Sequence, residues 1–123
     1  MQTDAKNNVR LAVLHGSQAK GSANKNSDWD VGILADRKLD LDDRLALADA
    51  FAKKFNVPEE KIDIADLRAA SPLLQFHVAK EGKLLEGSPS DFLQYKIFAW
   101  KHYESTKKFR KFREQFLLSR FAN

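Results

Sequence analysis

The pairing of Gly16-Ser17 with Asp28-Trp29-Asp30, ten residues further on, constrains this chain more than any other feature. It joins a turn suited to cradling phosphate to a carboxylate pair suited to holding a cation. The residues after the pair, Val31 to Leu34, are apolar and partly β-branched, so Asp28 to Leu34 is predicted to be a strand. Successive strand side chains point to opposite faces, so both aspartates share one face while Trp29, Val31 and Ile33 point into a core. Two carboxylates this close repel by about 4 kcal/mol at a separation of about 4 Å and an effective dielectric of about 20. A cation between them removes that cost, and all-oxygen ligands favour Mg²⁺ or Mn²⁺.

A lone Asp-x-Asp also occurs at solvated strand ends, and the left half of the motif is what sets this one apart. Val9 to His15 is a short apolar run of the kind found in buried strands, and it breaks at Gly16-Ser17, with Gln18 to Lys20 predicted to begin a helical turn. Backbone N–H groups and a hydroxyl presented at such a break suit an anion. The phosphate-loop pattern is absent, because Ser22-Ala23 follows Gly21, and no Gly-x-Gly-x-x-Gly occurs. A metal-bound triphosphate needs a third carboxylate. Lys61 to Leu67 alternates as a strand with Ile62 and Ile64 on one face and Asp63 on the other. Since an unpaired charge in an apolar strand is costly, Asp63 is the third candidate ligand, and Asp66 near the strand end is assigned to a turn or cap.

With these residues in place, the run HGSQAKGSANKNSDWDVGIL from His15 to Leu34, followed by Asp63, resembles the minimal nucleotidyltransferase (MNT) branch of the DNA polymerase β-like superfamily. The stretch SPLLQFHVAKEGKLLE from Ser71 to Glu86 resembles MntA-type antitoxins that accompany HEPN-domain toxins. The resemblance spans about Val9 to Leu118. It implies that Gly16 and Ser17 hold a nucleoside triphosphate, with Lys20 and Ser27 also on the nucleotide side. It implies further that Asp28 and Asp30 bind two divalent metals, Mg²⁺ or Mn²⁺, and that Asp63 completes the catalytic set and helps deprotonate the acceptor hydroxyl. ATP is the implied substrate and a HEPN-type toxin the implied partner. Many members read Gly-Ser-Arg-Ala-Arg-Gly where this chain has Gln18 and Lys20, so a point-charge lysine replaces a guanidinium fork. Many also carry a full helix before the first strand, where only eight residues precede Val9 here.

Length and composition set the remaining bounds. The 123 residues suffice for one domain with its own core, so 1–123 is read as a single unit with 89–121 a helical segment placed to contact a partner. The absence of cysteine excludes disulfides and thiolate metal sites, and with no signal-peptide core and no membrane-length apolar run it fits a cytoplasmic protein. His15, His77 and His102 lack ligand spacing, which argues against zinc, and His15 is read as packing beside the site. The fold class expected is α/β (α+β): a nucleotidyltransferase fold, with a small mixed sheet, helices packed on it and a long C-terminal helix. Leu41 to Phe55 is predicted helical with Leu41, Leu45, Ala48, Ala52 and Phe55 as its apolar stripe, stopped at Asn56-Val57-Pro58. Ser71-Pro72 starts a helix through Lys80, Gly82 ends it, and Lys83 to Glu86 adds an edge strand.

Ser88-Pro89 begins a helix that no glycine or proline interrupts. Phe92, Tyr95, Ala99 and Tyr103 form a stripe expected to pack on the core, Phe109, Phe112 and Phe116 extend it, and Trp100 is assigned to the core or an interface. From Phe92 onward there are eight Lys or Arg against two Glu, whereas the preceding residues carry a small net negative charge. A basic, phenylalanine-rich helix suits nucleic acid, a membrane surface or an acidic protein, and a solvated face without a partner would look the same. The resemblance selects a protein partner, against nucleic acid or membrane. The expected function is transfer of AMP from ATP to a hydroxyl of the toxin, a tyrosine by preference, which neutralises it. The alternatives are a non-catalytic antitoxin that masks the toxin by stoichiometric binding and a small-molecule nucleotidyltransferase.

Overall fold

The computed structural model describes residues 8–121, and the expectation about the segment ahead of the first strand falls outside that range. Four strands, β1 (Val9–His15), β2 (Trp29–Ala35), β3 (Ile62–Asp66) and β4 (Lys83–Glu86), alternate with four α-helices. The helices are α1 (Gly16–Lys20), α2 (Leu41–Phe55), α3 (Pro72–Glu81) and α4 (Pro89–Phe121), and a 3-10 turn at Glu59–Lys61 leads into β3. The strand order is β3-β2-β1-β4. β1 runs antiparallel to β2 and β4, and β2 parallel to β3, which makes a mixed sheet. The α/β class, the mixed sheet and the long last helix are as expected. β2 starts at Trp29 and ends at Ala35, one residue later at each end than predicted, and α3 runs one residue further, to Glu81.

Period-two alternation decides the layers. Ala12 and Leu14 of β1, Val31 and Ile33 of β2, and Ile62 and Ile64 of β3 face α2, where Leu47, Phe51 and Ala52 close one core. Leu11 and Val13 face the other way with Leu67, and meet Val78 and Ala79 of α3 and Phe92, Tyr95 and Ala99 of α4. Each fully buried aliphatic or aromatic side chain here contributes about 1.5–3 kcal/mol, so both helix layers are needed to hold the sheet. Gln75 ties the second layer together: its Nε2 donates to Leu67 O (2.8 Å), and Tyr95 Oη donates to Gln75 O (3.0 Å). Burial pushes the Tyr95 phenol well above its usual range, so it stays a donor.

The phase of α2 departs from the expected stripe. Leu41 is 70% exposed and Leu45 56%, while Asp43, Leu47, Phe51 and Ala52 are buried. The N-terminal loop turns the helix this way. Leu39 is buried as the apolar anchor, its N–H donating to the buried Asp66 Oδ2 (3.0 Å), and Arg37 grips Asp43 through two hydrogen bonds (2.6 and 2.9 Å). Asp40 and Asp43 also form a capping box, the carboxylate of each accepting from the backbone N–H of the other, with Asn56 closing the helix in the left-handed region. Asp66, which accepts from Arg68 N–H as well, is thus a structural turn residue as assigned.

Arg37 holds the Asp43 carboxyl below the usual carboxylate range. The folded protein therefore binds protons at Asp43 less readily than the unfolded chain. The resulting stability is present above the unfolded value and is lost as pH falls through the folded one. Asp43→Ala is expected to cost about 2 kcal/mol in urea unfolding at neutral pH and to flatten the acid limb of stability against pH.

Helix α4 begins as predicted, with Ser88 Oγ accepting from Asp91 N–H (3.0 Å), and Tyr103 stacks on Phe76 at 4.4 Å. Trp100 does not enter the core. It lies about 100° around the helix from the buried Ala99 and is 56% exposed, which leaves only the interface half of its assignment. Phe109, Phe112 and Phe116 are exposed as well, since the helix has passed the end of α3 and meets no facing layer.

Candidate active site

Sheet register brings together what the sequence separates. His15 of β1 lies opposite Asp30 of β2, and Asp30 lies beside Asp63 of β3, so the three form one row across adjacent strands. Trp29 fixes the phase of this row. Its indole stacks on Phe55 of α2 at 4.3 Å, on the α2 face of the sheet, so Asp30 must project from the opposite face. Asp28 is exposed immediately ahead of β2, Asp63 is exposed, and Asp30 is half-buried.

The Gly16-Ser17 turn abuts this row. Gly16 has φ +71°, and a Cβ at that position would overlap Asp30 Oδ2. Only glycine combines this left-handed backbone with so close an approach. His15 gives α1 no side-chain cap, which leaves the N–H groups of its first turn without that partner. Ser17, half-buried, is the second residue of α1.

Burial pushes the Asp30 carboxyl above its ordinary value; His15 opposes this, while the Asp63 and Asp28 charges and a hydrogen bond to Asp63 add to it. Burial pushes the His15 imidazole down, against the pull of Asp30 and Asp63. Its Nε2 is buried with no hydrogen-bond partner among the described residues. Two carboxylates in contact, with a third charge felt by one of them, fit a hard divalent cation, and the donors are all oxygen. Among the described residues no three acidic, histidine or cysteine side chains already stand gathered around a metal position. Asp30 and Asp63 are brought together, and Asp28 is exposed to solvent immediately ahead of β2.

The other expected nucleotide contacts sit as follows. Lys20 pairs with Glu81 at 3.1 Å, an exposed bridge worth at most about 1 kcal/mol, so a triphosphate can compete for it. Ser27 is occupied in its own turn, its Oγ accepting from Asn24 N–H and its N–H donating to Asn24 O, both at 3.0 Å. Lys61 Nζ donates to Asn26 O (3.1 Å) and so ties this loop, and with it Asp28, to the turn ahead of β3. Sequence reasoning placed His15 beside the site without its direct register with Asp30. It also missed a groove along the edge of β3 lined by Leu45 and Asp63 among others, because helical spacing had placed Leu45 inside.

A family model described as polymerase beta, nucleotidyltransferase matches residues 2–90. The protein adenylyltransferase MntA of Aphanizomenon flos-aquae is 37% identical over 90 residues, which cover 68% of this chain and 60% of the relative. The chain thus spans about 60% of the length of that curated relative. A toxin–antitoxin crystal structure with AMP-PNP contains a chain that superposes with a TM-score of 0.76 at 29% identity, covering 90% of this chain and 87% of the other. A tri-AMPylated Shewanella oneidensis HEPN toxin in complex with an MNT antitoxin gives a TM-score of 0.71 at 26% identity, covering 94% and 87%.

Proposed function

The chain belongs to the polymerase β nucleotidyltransferase family, and from that premise we propose that it transfers AMP from ATP to a hydroxyl of a HEPN-type toxin, preferably a tyrosine, and so neutralises it. The observation that carries this reading is the row His15, Asp30, Asp63 set against the Gly16 turn, which joins an anion-holding backbone to paired carboxylates. Relatives named as protein adenylyltransferases, and neighbouring folds from toxin–antitoxin complexes, support it.

In this reading Gly16 and Ser17 hold the triphosphate, with Lys20 drawn from Glu81 to the phosphates. Ser27 holds the loop that presents Asp28. Asp28, Asp30 and Asp63 would hold Mg²⁺, or Mn²⁺, in two positions, which when bound neutralises charge on the entering and departing oxygens. Asp63 takes the proton of the acceptor hydroxyl, the new bond forms between that oxygen and the α-phosphorus, and the bond to pyrophosphate breaks. Most of the rate comes from positioning and electrostatics. The added phosphate charge then blocks the toxin's own site. Residues 1–123 act as one nucleotidyltransferase unit, and 89–121 supplies a basic, aromatic arm that contacts the toxin. No helix among the described residues is long and apolar enough to cross a membrane, and a chain without cysteine suits the reducing cytoplasm, where we place it.

Incubating the toxin with catalytic amounts of this protein, ATP and Mg²⁺ is expected to give adducts of AMP mass by intact-protein mass spectrometry. Neutralisation that appears only at equimolar dose, with no adduct, would establish stoichiometric masking instead.

A further inference from the structure

In-line displacement puts the entering and leaving oxygens on opposite sides of the phosphorus. The phosphate turn lies on the β1 side of Asp30, so the departing pyrophosphate lies there too, and the acceptor has to arrive from the β3 side. On that side, β3 is the outer strand of the sheet, and a groove of about 500 Å³ runs between it and α2. Its walls include Leu45 and Ala48 of α2, Glu59 and Glu60 of the 3-10 turn, and Ile62 and Asp63 of β3. The edge itself is closed to strand pairing near the site: Arg44 Nη1 donates to Ile64 O (2.7 Å) and Ile62 N–H to Glu59 O. An occupant is therefore held by side chains.

Those side chains are of two kinds. Leu45 and Ala48 give an apolar wall, and Leu45 is 56% exposed. Glu59 and Glu60 are exposed at the rim, and the cations nearby are engaged: Arg44 on Ile64 O, Lys53 on Asp49 (3.1 Å) and Lys61 on Asn26 O. An acidic rim repels a nucleotide triphosphate and attracts a basic peptide.

We infer that this groove, on the α2 face of the sheet, receives the segment of the protein substrate that flanks the acceptor, Leu45 and Ala48 packing on an apolar side chain of that segment and Glu59 and Glu60 pairing with a Lys or Arg in it, while the acceptor hydroxyl reaches round the edge strand β3 to Asp63 on the opposite face. The inference rests on the proposed AMP transfer and adds to it which surface selects the acceptor.

The test is steady-state AMP transfer to the cognate HEPN toxin by the wild type, the double variant Glu59→Lys/Glu60→Lys, and Leu45→Asp. Glu60→Gln serves as a milder variant should the double variant fail to fold. The expected result is a rise of about tenfold in KM for the toxin in the charge-reversed variant, a shallower salt dependence, and an unchanged KM for ATP. An unchanged toxin KM in the folded variants overturns the groove assignment and leaves the activity standing. A rise in the ATP KM instead assigns the groove to the nucleotide and also overturns it. No transfer by the wild type overturns the activity itself.

Discussion

Replacing Asp30 with Asn is expected to lower AMP transfer by ~10³-fold or more while leaving the fold at least as stable as the wild type. Asp30 stands at the centre of the row, opposite His15, beside Asp63 in register and against the Gly16 turn. Its carboxyl is pushed up by burial, with the neighbouring Asp63 and Asp28 charges adding. The folded state therefore binds a proton there more tightly than the unfolded chain, and stability falls as pH rises through the interval between the two values. Asparagine has no charge to bury, so its thermal midpoint at neutral pH without divalent cation should match or exceed that of the wild type. Adding Mg²⁺ should raise the wild-type midpoint, because a ligand bound only by the folded state stabilises it, and EDTA should reverse the gain. The Asn variant should show little of either response. Full transfer by the variant, or a Mg²⁺ shift equal to the wild type's, would remove Asp30 from the site.

Gly16→Ala should be nearly as damaging for a different reason. At φ +71° an alanine pays about 1–2 kcal/mol in backbone strain, and its Cβ would also overlap Asp30 Oδ2. Either the turn or the carboxylate must move, and a displacement of about 1 Å costs about a hundredfold in rate. Gly21 provides the control. It has the same left-handed backbone, φ +74°, with open space where a Cβ would go, so Gly21→Ala should lose comparable stability and retain transfer. Equal loss of activity in both variants would show that strain alone matters. A loss confined to Gly16 isolates its approach to Asp30.

Much of this arrangement is legible in the amino-acid sequence. The apolar run of Val9–His15, the alternation around Asp28-Trp29-Asp30 and the isolated Asp63 each define a strand and the face that its polar residue takes. The capping residues Ser71 and Ser88, each followed by proline, marked the starts of α3 and α4. The rotation of α2 was not legible. Its sequence offers leucines at 39, 41, 45 and 47, two alternative stripes of similar apolarity, and the choice depends on Arg37 and Asp66, which anchor the loop from outside the helix. The choice left open for Trp100, core or interface, was not legible for a related reason, since α4 is apolar on several sides and only contact with α3 and the sheet selects the face that Ala99 occupies.

The sequence by itself determined the chemistry available: a glycine turn, three aspartates on two separate stretches, and the strand phases that keep those aspartates out of the core. These depend on local geometry, in which a side chain's direction follows from its position along the strand. The tertiary structure alone decided that Asp30 and Asp63 meet, that the turn presses on Asp30, and that Leu45 faces a groove beside Asp63. Register between strands 33 residues apart, and the rotation of a helix against a sheet, are set by the packing of many side chains at once.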